Sequence, residues 1–180
     1  MPKITDELIA KKHFDTIVLG AFWHGYLCEC VSVERAGTRM QVNTPEAINN
    51  VYANLEDEVR RFVQTNHKVY LILSTPMDHR FDPQQMITRS IGGFKVDPDV
   101  LKGIPVSALI AATADENRRL IDIAKRTGAI TINPLPDICG AGPACSFFFG
   151  DGEPKFADEK HLRPIFVKDN ITFLDDILTH

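Results

Sequence analysis

The chain has 180 residues and a net charge of −4, and hydrophobic residues make up 44% of it. This length and composition predict one ordered globular domain and exclude a disordered or fibrous protein. Lysine and arginine are spread along the whole sequence without a basic stripe, which argues against nucleic acid as a partner. No apolar run approaches the roughly 20 residues that cross a bilayer, and the N-terminal residues lack the apolar core of a signal peptide.

The first half of the chain predicts a short helix, a buried strand, a long loop and a long helix. Residues 4–12 have the apolar spacing of a helix that ends in two lysines. The run FDTIVLGAF, residues 14–22, is apolar and rich in β-branched residues, which is typical of a strand covered on both faces. Residues 23–43 show no period and are interpreted as a functional loop. A helix begins at Thr44 as N-cap and ends near Asn66.

The second half alternates strands and helices. Residues 69–76, VYLILSTP, predict a second buried strand, residues 110–127 an amphipathic helix, and residues 129–134 a third strand. Residues 77–107 are irregular, and a last helix is predicted at residues 165–178. This alternation predicts an α/β fold, a three-layer sandwich with a mostly parallel sheet.

The loops that follow the predicted strands are the expected ligand-binding region. In a parallel sheet, ligands bind at the carboxyl ends of the strands, so the loops after Gly20, Ser74 and Asn133 are expected to gather there. The ring side chains of Trp23, His24 and Tyr26 suit contact with a sugar or an acyl donor. A structural role, in which Trp23 closes the end of the sheet, is an equally good interpretation of that residue.

Four cysteines are present, which is too few for a disulfide scaffold. Cys28 and Cys30 with His24 would form an incomplete metal site, so no metal and no cofactor is predicted. Cys139 and Cys145 flank a Gly/Pro turn that can bring them within bridging distance. If they are bridged, the compartment is oxidising.

The polar stretch FADEKHLRP places Asp158 and His161 three residues apart, before the predicted last helix. An imidazole oriented by a carboxylate is the usual general base for activating a serine hydroxyl. A capping aspartate followed by a solvated histidine gives the same spacing without any catalytic role. The spacing alone therefore leaves both interpretations open.

The surrounding sequence, LPDICGAGPACSFFFGDGEPKFADEKHL, resembles the end of the SGNH hydrolase domain fused to membrane acyltransferases of the acyltransferase-3 family. Those proteins are O-acetyltransferases that modify bacterial surface polysaccharides. The segment FDTIVLGAFWHGYL resembles that family's strand-plus-tryptophan segment, and VYLILSTP also matches. The resemblance covers the chain from about Phe14 onward. It is specific because the order and spacing of the three segments agree.

The resemblance implies roles for individual residues. His161 would be the catalytic base and Asp158 the carboxylate that orients it, and Cys139 and Cys145 would be the bridged pair of an extracytoplasmic domain. The Trp23 region would lie where SGNH enzymes place an oxyanion asparagine. No asparagine occurs between Trp23 and Asn43. A backbone N–H of Gly20 or Ala21 is the expected substitute donor.

The sequence departs from the family at its nucleophile, because no G-D-S string occurs anywhere. Of the five serines, only Ser74 follows a predicted strand; the others are Ser32, Ser90, Ser107 and Ser146. Without the strand that precedes the nucleophile, the Phe14 strand would have an unpaired edge. The chain is therefore expected to be the C-terminal part of a longer enzyme. The alternatives are a homodimer that pairs the exposed sheet edge and a diverged, non-catalytic member.

The leading hypothesis is the C-terminal part of a periplasmic, or at least extracytoplasmic, SGNH-type O-acyltransferase or esterase domain. It would take an acyl ester donor and a saccharide acceptor, with a membrane acyltransferase domain in the full-length protein and the serine outside this chain. The main alternative is a non-catalytic α/β binding or interaction module. A flavodoxin-like nucleotide binder is disfavoured because no Gly-rich loop follows a strand.

Overall fold

The computed structural model describes residues 14–178, so the helix expected at residues 4–12 lies outside the described part. Of the described helices, none is long and apolar enough to cross a membrane. The strands, in chain order, are β1 (Thr16–Leu19), β2 (Ser32–Arg35), β3 (Thr38–Gln41), β4 (Lys68–Ile72), β5 (Ile87–Ser90), β6 (Gly93–Val96), β7 (Ile104–Pro105), β8 (Ile130–Ile132), β9 (Ala144–Cys145), β10 (Phe148–Phe149) and β11 (Glu153–Pro154). The α-helices are α1 (Pro45–Gln64), α2 (Val106–Ala112), α3 (Ala114–Thr127), α4 (Leu135–Cys139), α5 (Pro164–Asn170) and α6 (Asp175–Leu178). Short 3₁₀ turns occupy Trp23–Leu27, His79–Phe81, Pro83–Met86 and Pro98–Lys102.

The described chain divides into two compact units. Unit 1 consists of residues 14–73 and 115–132, and unit 2 consists of residues 74–114 and 133–178. Each unit has its own hydrophobic core and its own candidate residues. The expectation of a single domain over the whole chain stays a prediction.

A three-stranded parallel sheet forms the centre of unit 1, in the order β1-β4-β8. Ile17 pairs with Val69, and Tyr70 pairs with Ile130. The three strands are the ones expected from the apolar runs in the sequence, and the mixed α/β fold with a parallel sheet is confirmed. Among the described residues, β1 is an edge strand.

Helices α1 and α3 cover one face of this sheet. Thr44 caps α1 by accepting a hydrogen bond from the N–H of Ala47 at 3.2 Å, as expected of a threonine before a helix-starting proline. The Arg126 guanidinium on α3 contacts the Glu56 carboxylate on α1 at 2.6 Å. Both helices pack into the same cluster, on the face of the sheet that carries Val69, Leu71 and Leu73. The buried members of that cluster are Tyr52, Val59, Phe62, Val69, Leu71, Leu73, Leu120, Ile123 and Ala124.

The stretch interpreted as a loop, residues 23–43, contains a β-hairpin, so that interpretation is wrong over β2 and β3. The two strands pair from Arg35 opposite Thr38, which leaves a two-residue connection. Both connecting residues have positive φ, 50° at Ala36 and 78° at Gly37. Such turns usually carry asparagine or aspartate before glycine, and alanine gives no such signal.

Unit 2 is assembled from short antiparallel pairs around an apolar core. The pairs are β5–β6, β7–β9 and β10–β11. The rings of Phe81 and Phe156 stack with their centroids 4.1 Å apart, which joins the irregular residues 77–107 to the segment before Asp158. The buried residues of this core are Phe81, Met86, Val100, Ile104, Leu109, Ile138, Cys139, Cys145, Phe147 and Phe156.

The last helix is shorter than expected, because α5 ends at Asn170 and a separate α6 follows. The Asp137 carboxylate accepts the backbone N–H groups of Thr172 at 2.6 Å and Phe173 at 2.9 Å. A continuous helix would use those N–H groups internally. The carboxylate therefore supplies an alternative partner at the point where the helix breaks.

Replacing Tyr52 with phenylalanine tests the packing of unit 1. Its hydroxyl is buried without a hydrogen-bond partner among the described residues, and burial, followed by the charge of Glu116, raises its pKa to about 12. The ionised phenolate is therefore disfavoured in the folded state, and stability present below pH of about 10 is lost as the pH rises towards 12.

We expect Tyr52→Phe to raise the free energy of unfolding by about 1 kcal/mol, because an unsatisfied polar atom is removed. Denaturant unfolding at neutral pH measures this value. The ultraviolet titration of the variant should also lack the late phenolate transition. A loss of stability of similar size would contradict the assignment of an unpartnered hydroxyl.

Candidate functional site

The segment that carries Asp158 and His161 is a tight hairpin in unit 2. Its base is closed by an antiparallel bridge between Phe156 and Leu162 and by the Arg163 N–H, which donates to the Lys155 carbonyl at 2.8 Å. The outer part of the bend is a sequence of turns rather than a helix. The hairpin therefore presents its tip on a framework of backbone hydrogen bonds.

Asp158 organises the tip of this hairpin with both carboxylate oxygens. Oδ1 accepts the backbone N–H groups of Lys160 and His161, each at 2.9 Å. Oδ2 lies 2.7 Å from Nδ1 of His161. The capping role and the orienting role that the sequence left open are thus filled by one side chain.

These contacts keep the Asp158 carboxylate ionised. The hydrogen bond from the His161 ring, followed by the backbone N–H of Lys160, lowers the pKa of the Asp158 carboxyl to about 2. The ionised carboxylate accepts the hydrogen that Nδ1 of His161 carries. In the neutral ring the lone pair then lies on the other nitrogen, Nε2. The His161 side chain is 68% exposed, and within the described chain Nε2 has no hydrogen-bond partner. The pair can therefore remove a proton from a hydroxyl group placed against it.

A buried lysine supports the base of the hairpin. Lys155 is 7% exposed, and its Nζ donates to the carbonyl oxygen of Ile138 at 2.8 Å. Desolvation by burial lowers the pKa of the Lys155 ammonium. Since Ile138 precedes Cys139 on α4, this bond ties the hairpin to the turn between Cys139 and Cys145, which we call the cysteine turn.

The cysteine turn is closed by a disulfide between Cys139 and Cys145, whose Cα atoms lie 4.3 Å apart. A second disulfide joins Cys28 to Cys30 in unit 1. This second bridge removes both thiols that the sequence offered to a metal site with His24. Among the described residues, no group of three or more His, Cys, Asp and Glu side chains is arranged to hold a metal ion.

The remaining candidates belong to unit 1 and are not part of the hairpin. Gly20 and Ala21 directly follow β1, and Trp23 begins the 3₁₀ turn after them. The Trp23 indole N–H donates to the carbonyl oxygen of Ile72 at 2.8 Å. This hydrogen bond holds the ring against the end of β4, as expected for a tryptophan that closes the end of the sheet.

Sequence reasoning missed one side chain that pairs with a candidate. Glu116 on α3 lies with Oε1 2.9 Å from Nδ1 of His24. The two residues are separated by 92 positions, and no local pattern connects them. Lys155 was also missed, since a lysine in a polar stretch gives no sign of burial.

Removing the imidazole tests the electrostatics of the Asp158–His161 pair. In His161→Ala we expect the Asp158 pKa to rise from about 2 towards the ordinary value of about 3.9, because the largest cause of the shift is lost. Carbon-detected NMR titration of the aspartate carboxyl carbons measures the change.

The sign of the stability effect follows from the depressed pKa. Ionised Asp158 stabilises the fold above pH of about 4, and this contribution is lost as the pH falls towards 2. His79→Ala is the matched control, because that imidazole pairs with Asp78 at 3.4 Å in the same unit. An Asp158 titration that is unchanged in His161→Ala would show that the pair does not form in solution.

Comparison with known proteins agrees with this architecture. Residues 3–168 match the family model described as "SGNH domain (fused to AT3 domains)". The match begins 11 residues before Phe14, where the resemblance seen in the sequence began. No curated protein and no solved structure matches the chain. Because the match covers most of its length, the chain belongs to the family of SGNH domains fused to acyltransferase-3 domains, which indicates an acyltransferase- or esterase-type module.

Proposed function

We propose that this chain forms part of an SGNH-type O-acyltransferase or esterase in which His161 is the general base and Asp158 its orienting carboxylate. The observation that carries the proposal is the 2.7 Å contact between Asp158 Oδ2 and His161 Nδ1, which leaves Nε2 without a protein partner in the described chain. The family match supports the reaction class. The serine nucleophile is supplied from outside this chain.

In the first half of the proposed reaction, the serine becomes acylated. His161 Nε2 takes the proton of the serine hydroxyl while the serine oxygen attacks the carbonyl carbon of the acyl ester. The bond between that carbon and the donor's alkoxy oxygen breaks. The imidazolium returns the proton to the departing oxygen, and Asp158 stabilises the positive ring in between.

In the second half, the acyl group moves to the acceptor. His161 deprotonates a saccharide hydroxyl, whose oxygen attacks the acyl carbon of the serine ester. The serine oxygen leaves and recovers the proton from the ring, so the enzyme is regenerated. If water takes the place of the saccharide, the same steps give hydrolysis. The backbone N–H groups of Gly20 and Ala21 are proposed as oxyanion donors on sequence grounds alone.

A second candidate function is a non-catalytic binding or interaction module. It is favoured by one observation, the lack of any G-D-S string in the sequence. Such a module would retain the hairpin as a structural element, with Asp158 serving as a turn cap. The two functions differ in whether the imidazole of His161 is needed.

The proposal includes partners and a compartment. An acyl ester donor and a bacterial cell-surface polysaccharide are the proposed substrates, and a membrane acyltransferase domain is the proposed neighbour in the full-length protein. A periplasmic location is proposed because it suits such a substrate and permits both disulfides. Pairing of two copies through the edge strand β1 is proposed as the alternative way to complete the sheet.

Replacing His161 with alanine in the full-length protein tests the catalytic role. Loss of a general base lowers the rate by about 10²–10⁴-fold, and acetyl release from an O-acetylated saccharide measures it. His79→Ala is the control, since that histidine is exposed and also lies beside an aspartate. Near-normal activity of His161→Ala would refute the proposal and favour the binding module.

Intact-mass measurement with and without reductant tests the proposed compartment. Protein recovered from its native host should gain the mass of two hydrogens per bridge on reduction, for Cys28–Cys30 and for Cys139–Cys145. Peptide mapping of alkylated samples assigns each bridge. Fully reduced cysteines in freshly isolated protein would contradict an oxidising location.

A further inference from the structure

The two disulfides of the described chain differ in their surroundings. Cys139 and Cys145 belong to the buried core of unit 2, with exposed fractions of 8% and 0%. In unit 1, Cys30 is an exposed residue and Cys28 is partly exposed. A thiolate in solution attacks a disulfide only where it can reach one of the two sulfur atoms. The Cys28–Cys30 bridge is therefore the more accessible of the two.

The Cys28–Cys30 bridge also spans a very short stretch of chain. The two cysteines are two positions apart in the sequence, against six positions for Cys139 and Cys145. In the chain-entropy account, a disulfide stabilises the fold by restricting the unfolded chain, and this effect grows with the number of residues that the bridge encloses. The shorter bridge therefore contributes less to folding, and the fold loses less stability when this bridge opens.

Hydrogen bonds of the main chain hold the backbone around these cysteines independently of the bridge. The Val31 N–H donates to the Cys28 carbonyl at 3.1 Å, and the Val42 N–H donates to the Val31 carbonyl at 2.9 Å. Before the cysteines, the Gly25 N–H donates to the Phe22 carbonyl at 2.9 Å. Because both sides of the bridged segment are held in this way, its backbone can keep its course when the sulfur atoms separate.

A hydrogen-bond acceptor for the reduced form is also in place. Sγ of Cys28 lies 3.1 Å from the carbonyl oxygen of Gly25. After reduction this sulfur carries a hydrogen, and the S–H group can donate to that carbonyl without any movement of the backbone. Water can hydrate the thiol of Cys30, since that residue is exposed. The bridged form and the dithiol form are thus compatible with the same fold.

We propose that Cys28–Cys30 is a thiol–disulfide exchange site, which a dithiol reduces while unit 1 stays folded. The thiolate of the reductant bonds to Sγ of Cys30, the bond between Cys28 and Cys30 breaks, and the departing Cys28 thiolate takes up a proton. The second thiol of the reductant then displaces the Cys30 sulfur, which also ends as a thiol. The site gains two electrons and two protons, and the dithiol becomes a disulfide. The reverse sequence restores the bridge.

Differential alkylation of the folded, unmodified chain tests this site. Each bridge lies within one tryptic peptide, residues 13–35 for Cys28–Cys30 and residues 127–155 for Cys139–Cys145, so mass spectrometry follows both in one sample. With dithiothreitol as the reductant under native conditions, we expect the first peptide to be reduced at least about tenfold faster than the second. Equal rates, or earlier reduction of Cys139–Cys145, would overturn the proposal.

Two controls separate exchange at a folded site from reduction of an unfolded chain. In denaturant, burial no longer protects Cys139 and Cys145, so we expect the difference between the two rates to fall to about threefold or less. The chain reduced only at Cys28–Cys30 should keep its far-ultraviolet circular dichroism, and oxidised dithiothreitol should restore its bridge. Reduction of Cys28–Cys30 that occurs only together with loss of the folded signal would contradict the proposal.

Single-cysteine variants test which sulfur is attacked. Cys28→Ser leaves the exposed Cys30, and Cys30→Ser leaves Cys28 beside the Gly25 carbonyl. We expect Cys28→Ser to form a mixed disulfide with oxidised glutathione about tenfold faster than Cys30→Ser, because its thiol is more accessible and does not face a carbonyl oxygen. Equal rates, or a faster reaction in Cys30→Ser, would contradict the assignment of Cys30 as the attacked sulfur. Thermal unfolding confirms that each variant is folded.

Discussion

The candidate catalytic pair depends on one carboxylate that satisfies three donors at once. Asp158 holds two backbone N–H groups of the bend and the ring nitrogen of His161. Orientation of the imidazole is therefore inseparable from formation of the turn. A residue that only capped the bend would leave the ring free to rotate, and one that only contacted the ring would leave the bend without its partner. The low pKa of Asp158 is the electrostatic result of this arrangement.

The framework below the tip explains how so exposed a pair can hold its geometry. Phe156 is buried and stacks on Phe81, and Lys155 reaches the carbonyl of Ile138 beside the disulfide turn. Burial of the ammonium group is costly, which its lowered pKa expresses, so the hydrogen bond to the carbonyl partly offsets that cost. Apolar packing, one covalent bridge and one charged hydrogen bond thus support the same hairpin.

The sequence predicted what depends on local pattern. Apolar runs predicted β1, β4 and β8, and Thr44 predicted the start of α1, because burial and capping leave marks on neighbouring residues. The spacing of Asp158 and His161 allowed a contact between them but left a simple capping role equally open, and the structure shows one side chain making both sets of contacts. The β2–β3 hairpin was not predicted, because alanine at position 36 is not a residue typical of such a turn. The pairing of His24 with Glu116 could not be predicted, since it depends on how α3 packs in unit 1.

The segment after α5 is held to α4 by hydrogen bonds to one side chain, that of Asp137. Other segments of unit 2 are joined by apolar packing, strand pairing, a disulfide and the hydrogen bond from Lys155 to Ile138. The Thr172 and Phe173 backbone is joined to α4 through a single side-chain carboxylate. One carboxylate on α4 therefore sets both the end of α5 and the course of the chain just after it, so a substitution of Asp137 would act on a segment 35 positions away in the sequence.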